Sequence, residues 1–161
     1  MFKHIVVPLD GSPLAETALP YAIEIARRFE ADIVLIQNLD TVFPAVLETA
    51  DKANQPDTKL ALLVKEAHEQ DRRMRAAADQ YLKSKVEVVE ASGVKGSRNL
   101  FIRAPFHSMM EFCREAGVDL IVMTTHGRGG IKRAVLGSTT DKTIRESRIP
   151  VLVIRPPGES Q

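Results

Sequence analysis

The chain has 161 residues, 44% hydrophobic and 27% charged, the balance of a folded domain rather than a disordered segment. Its formal net charge of +1 argues against nucleic acid or an anionic membrane as partner, and no apolar run reaches membrane-spanning length. No secretory signal is visible and Cys113 is the single cysteine, so no internal disulfide forms and a cytoplasmic location is expected.

Residues 2–9, FKHIVVPL, form a β-rich run ending near Pro8. A strand tolerates proline only near its end or where no ladder donor is lost. The next four residues, DGSP, are turn and cap chemistry. Ser12 is placed to cap a helix, Pro13 fills its first position, and Glu16 has the offset of a short capping box. The helix is expected to run to about Phe29, with Leu14, Ala18, Tyr21, Ala22, Ile25 and Ala26 as its buried stripe. Residues 32–39, DIVLIQNL, read as a central strand. The two strands and their helix make a right-handed βαβ unit.

Residues 40–57 carry Pro44 and Pro56 and no clean periodicity. Their length suits a lid that orders over a ligand, a disordered segment, or a variable surface loop. A long helix begins at Thr58, with Leu62, Leu63, Glu66, Ala67, Met74, Ala77, Ala78 and Tyr81 along its stripe. Residues 85–91, KVEVVEA, alternate like a strand. Helical spacing nevertheless puts Tyr81, Val88 and Val89 on one face, and helix to about Ser92 with a stop at Gly93 is the better reading. Residues 98–104 form the third strand. A short helix follows from Pro105, with Gly117 as its C-terminal cap. Cys113 lies in the apolar pattern of that helix beside Met109, Met110 and Phe112, which marks a buried structural thiol. The fourth strand starts at Asp119 and the fifth spans residues 151–155, before Pro156-Pro157-Gly158.

This alternation predicts an α/β fold: a doubly wound, five-stranded parallel sheet of Rossmann-like type, helices on both faces, residues 1–161 in one domain. The stretch with chemical content is residues 120–144, LIVMTTHGRGGIKRAVLGSTTDKTI. A buried strand stops at Thr124-Thr125-His126-Gly127, a glycine- and arginine-containing loop follows, and Gly137-Ser138-Thr139 opens a helix. Ser138 or Thr139 can cap it, and Asp141 adds first-turn charge. Strand, glycine loop and helix N-terminus together suit an anion, because first-turn amides lack helical partners. No Walker A pattern occurs, and the first strand is not followed by a dinucleotide fingerprint.

The chain resembles the universal stress protein family, single-domain type, over nearly its whole length. The residues that carry the likeness are IVVPLDGS, GVDLIVMTTHGRGG, LGSTTDKTI and IPVLVIRP. The family's motif G-x2-G-x9-G-[ST] is matched in spacing by Gly127, Gly137 and Ser138, with Thr124 at its first position. Arg103-Ala104-Pro105 stands where relatives often carry Gly-Asp-Pro or Gly-x-Pro. The resemblance implies ATP across the carboxyl ends of the first and fourth strands; Mg²⁺ would offset the phosphate charge, since it usually binds through phosphates and waters rather than a protein cage. Asp10 would lie near ribose and adenine, the Leu39 backbone at adenine, and Gly127, Gly137, Ser138 and Thr139 around the phosphates. The full candidate set is Pro8, Asp10, Leu39, Met123, Thr124, His126, Gly127, Arg128, Gly137, Ser138 and Thr139.

Each residue also has a plainer reading. Asp10 suits a turn before a helix. His126 has no nucleophile at triad spacing and reads as loop structure or a ligand-edge contact. Arg128, Lys132 and Arg133 form a basic cluster that solvent or phosphates can satisfy. His4, His68 and His107 lack metal-ligand spacing, and no catalytic residue or protein metal site is expected. The resemblance implies a homodimer through Val151, Leu152, Val153 and Ile154, an apolar terminal strand expected at a sheet edge. Three functions follow: an ATP-binding regulatory switch with little or no turnover, a slow ATP-hydrolysing or nucleotidyl-transfer enzyme, and a dimeric interaction module without nucleotide.

Overall fold

The computed structural model describes residues 1–40, 58–104, 106–125 and 137–155, and the side chains of all of these except 58–60. The elements are β1 (His4–Pro8), α1 (Pro13–Glu16), α2 (Leu19–Phe29), β2 (Asp32–Leu39), α3 (Thr58–Ala91), β3 (Gly96–Ile102), α4 (Phe106–Glu115), β4 (Leu120–Thr124), α5 (Ser138–Glu146) and β5 (Val151–Ile154). The five strands pair in parallel in the order β3-β2-β1-β4-β5. This is the expected doubly wound α/β sheet. The chain reverses direction across the sheet between β1 and β4.

Alternation along the strands sorts side chains onto two faces. Ile5, Val7, Ile33, Leu35, Leu120 and Val122 join Ala22 and Ala26 of α2 and Leu82, Val86 and Val89 of α3 in one core. Val6, Ile36, Ile121 and Met123 meet Cys113 of α4 in the other. With both faces covered, the middle strands must be apolar on both sides, which explains the unbroken runs IVV and LIVM. At the amino edge, the Asp119 carboxylate accepts from the backbone N–H of Lys3 (2.7 Å) and of His4 (3.2 Å), tying β1 to β4.

The region from Val86 to Val89 is helical as expected. Val86 and Val89 are buried while Val88 is 52% exposed, a helical period that no strand would give. Gly93 and Gly117 follow their helices at φ +81° and +65°, as cap residues do.

Several expectations need correction. The first helix is broken after Glu16. Pro20 has no N–H for the Glu16 carbonyl and its ring crowds that carbonyl, so the helix cannot continue through residues 17 and 18. The Thr17 and Ala18 amides turn back to Leu14 (3.1 Å) and Ala15 (3.2 Å) instead. Ser12 does cap α1, accepting from the Ala15 N–H at 3.2 Å. Glu16 closes no capping box: its carboxylate binds Lys85 of α3 at 2.7 Å. Tyr21 is 52% exposed, and Ala15 and Leu19 replace it and Leu14 in the buried stripe. On α3, Leu62 and Leu63 are exposed, and Leu82 carries the packing. Met74, Met109 and Met110 are half-buried, whereas Met123 is in the core. The third strand begins at Gly96 rather than Arg98, because Gly96 already pairs with Ile33.

Candidate functional site

In open α/β sheets, ligands bind beyond the carboxyl ends of the strands where the order reverses. Here that point lies between β1 and β4. Pro8 ends β1 beside Ile36, Leu39 ends β2, and Met123 and Thr124 end β4. Gly137 immediately precedes α5, with Ser138 and Thr139 opening it. Most of the candidate residues therefore share one edge. His126, Gly127 and Arg128, together with Lys132 and Arg133, lie outside the described residues, as do residues 41–57.

Asp10 has the plainer of its two roles built in. Its Oδ1 accepts from the Ser12 N–H (2.9 Å) and hydroxyl (2.6 Å), closing the turn into α1. Gly11 at φ +81° makes that turn possible. The carboxylate is half-buried and held at the edge, so structure and ligand contact are compatible uses of it.

The start of α5 is anchored to β4. The Thr140 hydroxyl donates to the Thr124 carbonyl at 2.9 Å, and the Gly137 N–H donates to the Thr125 carbonyl at 2.8 Å. Gly137 is the N-cap, correcting the expectation that Ser138 or Thr139 would be, and no side chain among the described residues caps this helix. Ser138 and Thr139 are exposed instead. Without a capping oxygen, the first-turn amides keep their capacity for an anion. Asp141, in the same turn, pairs with Arg145.

The β2 end is more occupied. The Leu39 carbonyl already accepts from the Arg103 N–H at 2.9 Å, which leaves one lone pair unused among the described residues. Arg103 sits at φ +45°, the left-handed region, and its side chain is exposed rather than plugging the edge. Glycine takes this conformation without a Cβ penalty, which is a physical reason for glycine at this position in the family pattern.

Three residues at this edge are ones that the sequence pattern did not single out. Asn38 donates Nδ2 to the Ala104 carbonyl (3.0 Å) and accepts the Ala104 N–H on Oδ1 (3.1 Å), extending the β2–β3 ladder with a side chain. Thr140 looks like one more helix residue until its bond to Thr124 is seen. Gln37 is 4% exposed, and its Oε1 has no hydrogen-bond partner among the described residues. A glutamine inside an apolar strand run was the available hint.

Among the described residues, no cluster of three His, Cys, Asp or Glu side chains could hold a metal ion. No described helix is long and apolar enough to cross a membrane. Cys113 lies away from this edge on α4, and burial pushes its thiol up to about 11.

The chain matches the universal stress protein family over residues 1–155. It belongs to the universal stress protein family. A universal stress protein of Methanocaldococcus jannaschii is 31% identical over 157 residues, covering 98% of this chain and 84% of that protein. The solved structure of a hypothetical protein, MJ0577, superposes with a TM-score of 0.76 at 23% identity, covering 97% of each chain. A universal stress protein from Archaeoglobus fulgidus, solved in complex with dAMP, superposes with a TM-score of 0.59 at 18% identity, covering 96% of this chain and 98% of that one. At these identities, the structural likenesses establish the shared fold.

Proposed function

We propose that this universal stress protein binds ATP at the carboxyl edge between β1 and β4 and acts as a homodimeric regulatory switch with little or no turnover. The observation that carries the reading is the start of α5, uncapped by any side chain among the described residues and fixed to β4 by Thr140. Its amides and the Ser138 hydroxyl suit phosphate oxygens, and Gly127 belongs to the same motif. Asp10, held in its turn, offers a carboxylate for ribose hydroxyls. Leu39 offers its remaining carbonyl lone pair to the base. Mg²⁺ would be held by the phosphates and water, since the described residues offer it no cage. The dAMP complex of a fold relative supports an adenine nucleotide in this family.

Nothing in the geometry of the described residues supplies a paired acid and base, which favours binding over catalysis. β5 lies at the end of the sheet, and its half-buried Val151, Leu152 and Val153 suit pairing with a second copy.

Calorimetry tests the reading. ATP should bind, and Ser138→Ala should weaken it about tenfold to a hundredfold, the loss of one hydrogen bond to a charged group. Gly137→Val should weaken it further by blocking the approach of the phosphates. No heat and no competition by millimolar ATP, in the wild type and in Thr124→Gly alike, would leave a nucleotide-free interaction module as the function.

A further inference from the structure

The opposite edge of the sheet carries a second surface. Among the described residues β3 pairs with β2 and with no other strand, in continuous register from Gly96 to Ile102. At one end of that ladder, the Ile33 N–H donates to the Lys95 carbonyl; at the other, the Arg103 N–H donates to the Leu39 carbonyl, both at 2.9 Å. Alternate residues of a parallel strand face the partner. The residues between, Gly96, Arg98, Leu100 and Ile102, therefore turn their backbone N–H and C=O groups outward.

Natural edge strands are usually blunted by proline, a bulge or a covering element. β3 has neither proline nor bulge. Its cover is α3, which packs on one face of the sheet through Leu82, Val86 and Val89 and leaves a groove of about 710 Å³ along the strand. Gly96 allows this close approach, since a Cβ there would meet Val86 Cγ1 at 3.2 Å. A strand edge flanked by a helix is the geometry in which proteins accept an extended peptide as an added strand.

The far wall of the groove is a charged ridge on α3: Asp79, Lys83, Glu87 and Glu90. Asp79 is taken, because Arg98 reaches across from the strand with Nε–Oδ1 at 2.8 Å and Nη2–Oδ2 at 3.1 Å. That pair leaves Lys83, Glu87 and Glu90, all exposed and in no ion pair among the described residues. Successive turns of the ridge rise about 5–6 Å, close to the roughly 6.6 Å between alternate residues of a strand. α3 runs antiparallel to β3, so a peptide antiparallel to β3 meets Lys83, then Glu87, then Glu90.

We infer that the β3–α3 groove is a docking site for an extended peptide segment of a partner protein, pairing with the outward amides of β3 and carrying an acidic-x-basic-x-basic pattern toward α3. The site is independent of the nucleotide edge and needs no ligand there.

The test uses the full chain and two labelled peptides, TEVKVKT and its charge-swapped counterpart TKVEVET. Anisotropy should show TEVKVKT binding, with amide NMR shifts clustered on residues 96–102 and on the α3 ridge. TKVEVET should bind at least tenfold more weakly. The exposed double variant Glu87→Lys, Glu90→Lys should reverse that order and keep the wild-type circular dichroism. The inference is overturned if neither peptide binds at millimolar concentration, if the shifts cluster elsewhere, or if both peptides bind the wild type equally. Self-association of the chain through β3, seen as shifts on dilution without peptide, would replace the partner by a second copy and also overturn it.

Discussion

The Thr140 hydroxyl donates its hydrogen to the carbonyl oxygen of Thr124, joining the first turn of α5 to the last residue of β4 in a buried contact of 2.9 Å. This bond fixes where the helix begins relative to the sheet, and hence where its amides point. Thr140→Val keeps the shape and removes the donor. The expected cost is about 1–2 kcal/mol, read as a lower urea midpoint, with weaker ATP binding alongside. Thr143→Val is the comparison. Its hydroxyl bonds within the helix, to Thr139 at 2.7 Å, so it should leave ATP affinity unchanged.

Thr124→Gly separates two uses of the motif's first position. Thr124 is buried at the end of β4, where the family pattern has glycine. If its side chain crowds the nucleotide, glycine should tighten ATP severalfold by calorimetry. Unchanged affinity would mean that the threonine is accommodated and that crowding plays no part.

Arg103→Gly should raise stability by about 0.5–1 kcal/mol, because the residue sits at φ +45° and its side chain is exposed. The gain is partial, since glycine also enlarges the entropy of the unfolded chain. Thermal unfolding measures it. ATP affinity should stay within about twofold if the guanidinium makes no phosphate contact, and a larger loss would assign it one.

Cys113 gives a pH dependence with a definite sign. Burial raises its folded value to about 11 from an ordinary 9.0. Between those values the folded chain holds a proton that the unfolded chain releases. Its contribution to stability is therefore fully present below about 9 and falls as pH rises toward 11. Cys113→Ala should flatten that part of the stability curve. Thiol reagents should label the native wild type only at the rate of opening.

Val153→Lys tests the dimer. The residue is half-buried in the terminal strand β5, which ends the sheet. Light scattering should show a dimer for the wild type and a monomer for the variant at micromolar concentration. A dimer that survives the substitution would move the interface off β5.

Much of the fold was legible because the core strands are unbroken apolar runs separated by helical stripes. Strand order itself is not written in those runs. It is read from the pairing of the strands in the structure. The break at Pro20 was readable in principle, four residues after Glu16, but the helical stripe on both sides masked it. The site was half legible. Glycine and hydroxyl spacing located the edge, whereas the Asn38–Ala104 clamp and the Thr140–Thr124 bond depend on contacts between residues far apart in sequence. The tilt of Arg103 into the left-handed region was hidden because arginine, unlike glycine, does not advertise it.

The strand order also sets a timetable for synthesis. β1 and β2 leave the ribosome early and can pair across a short helical connection. The pair at the switch point, β1 with β4, closes a long loop, as the Lys3–Asp119 bond across 116 residues shows. Such closures are entropically costly and come late. A growing chain therefore spends most of its translation with the apolar flank of β1 unpaired, and no nucleotide can rescue it. A ligand at this edge can act only after Thr124 and the 138 helix have emerged, too late to guard the nascent β1 edge.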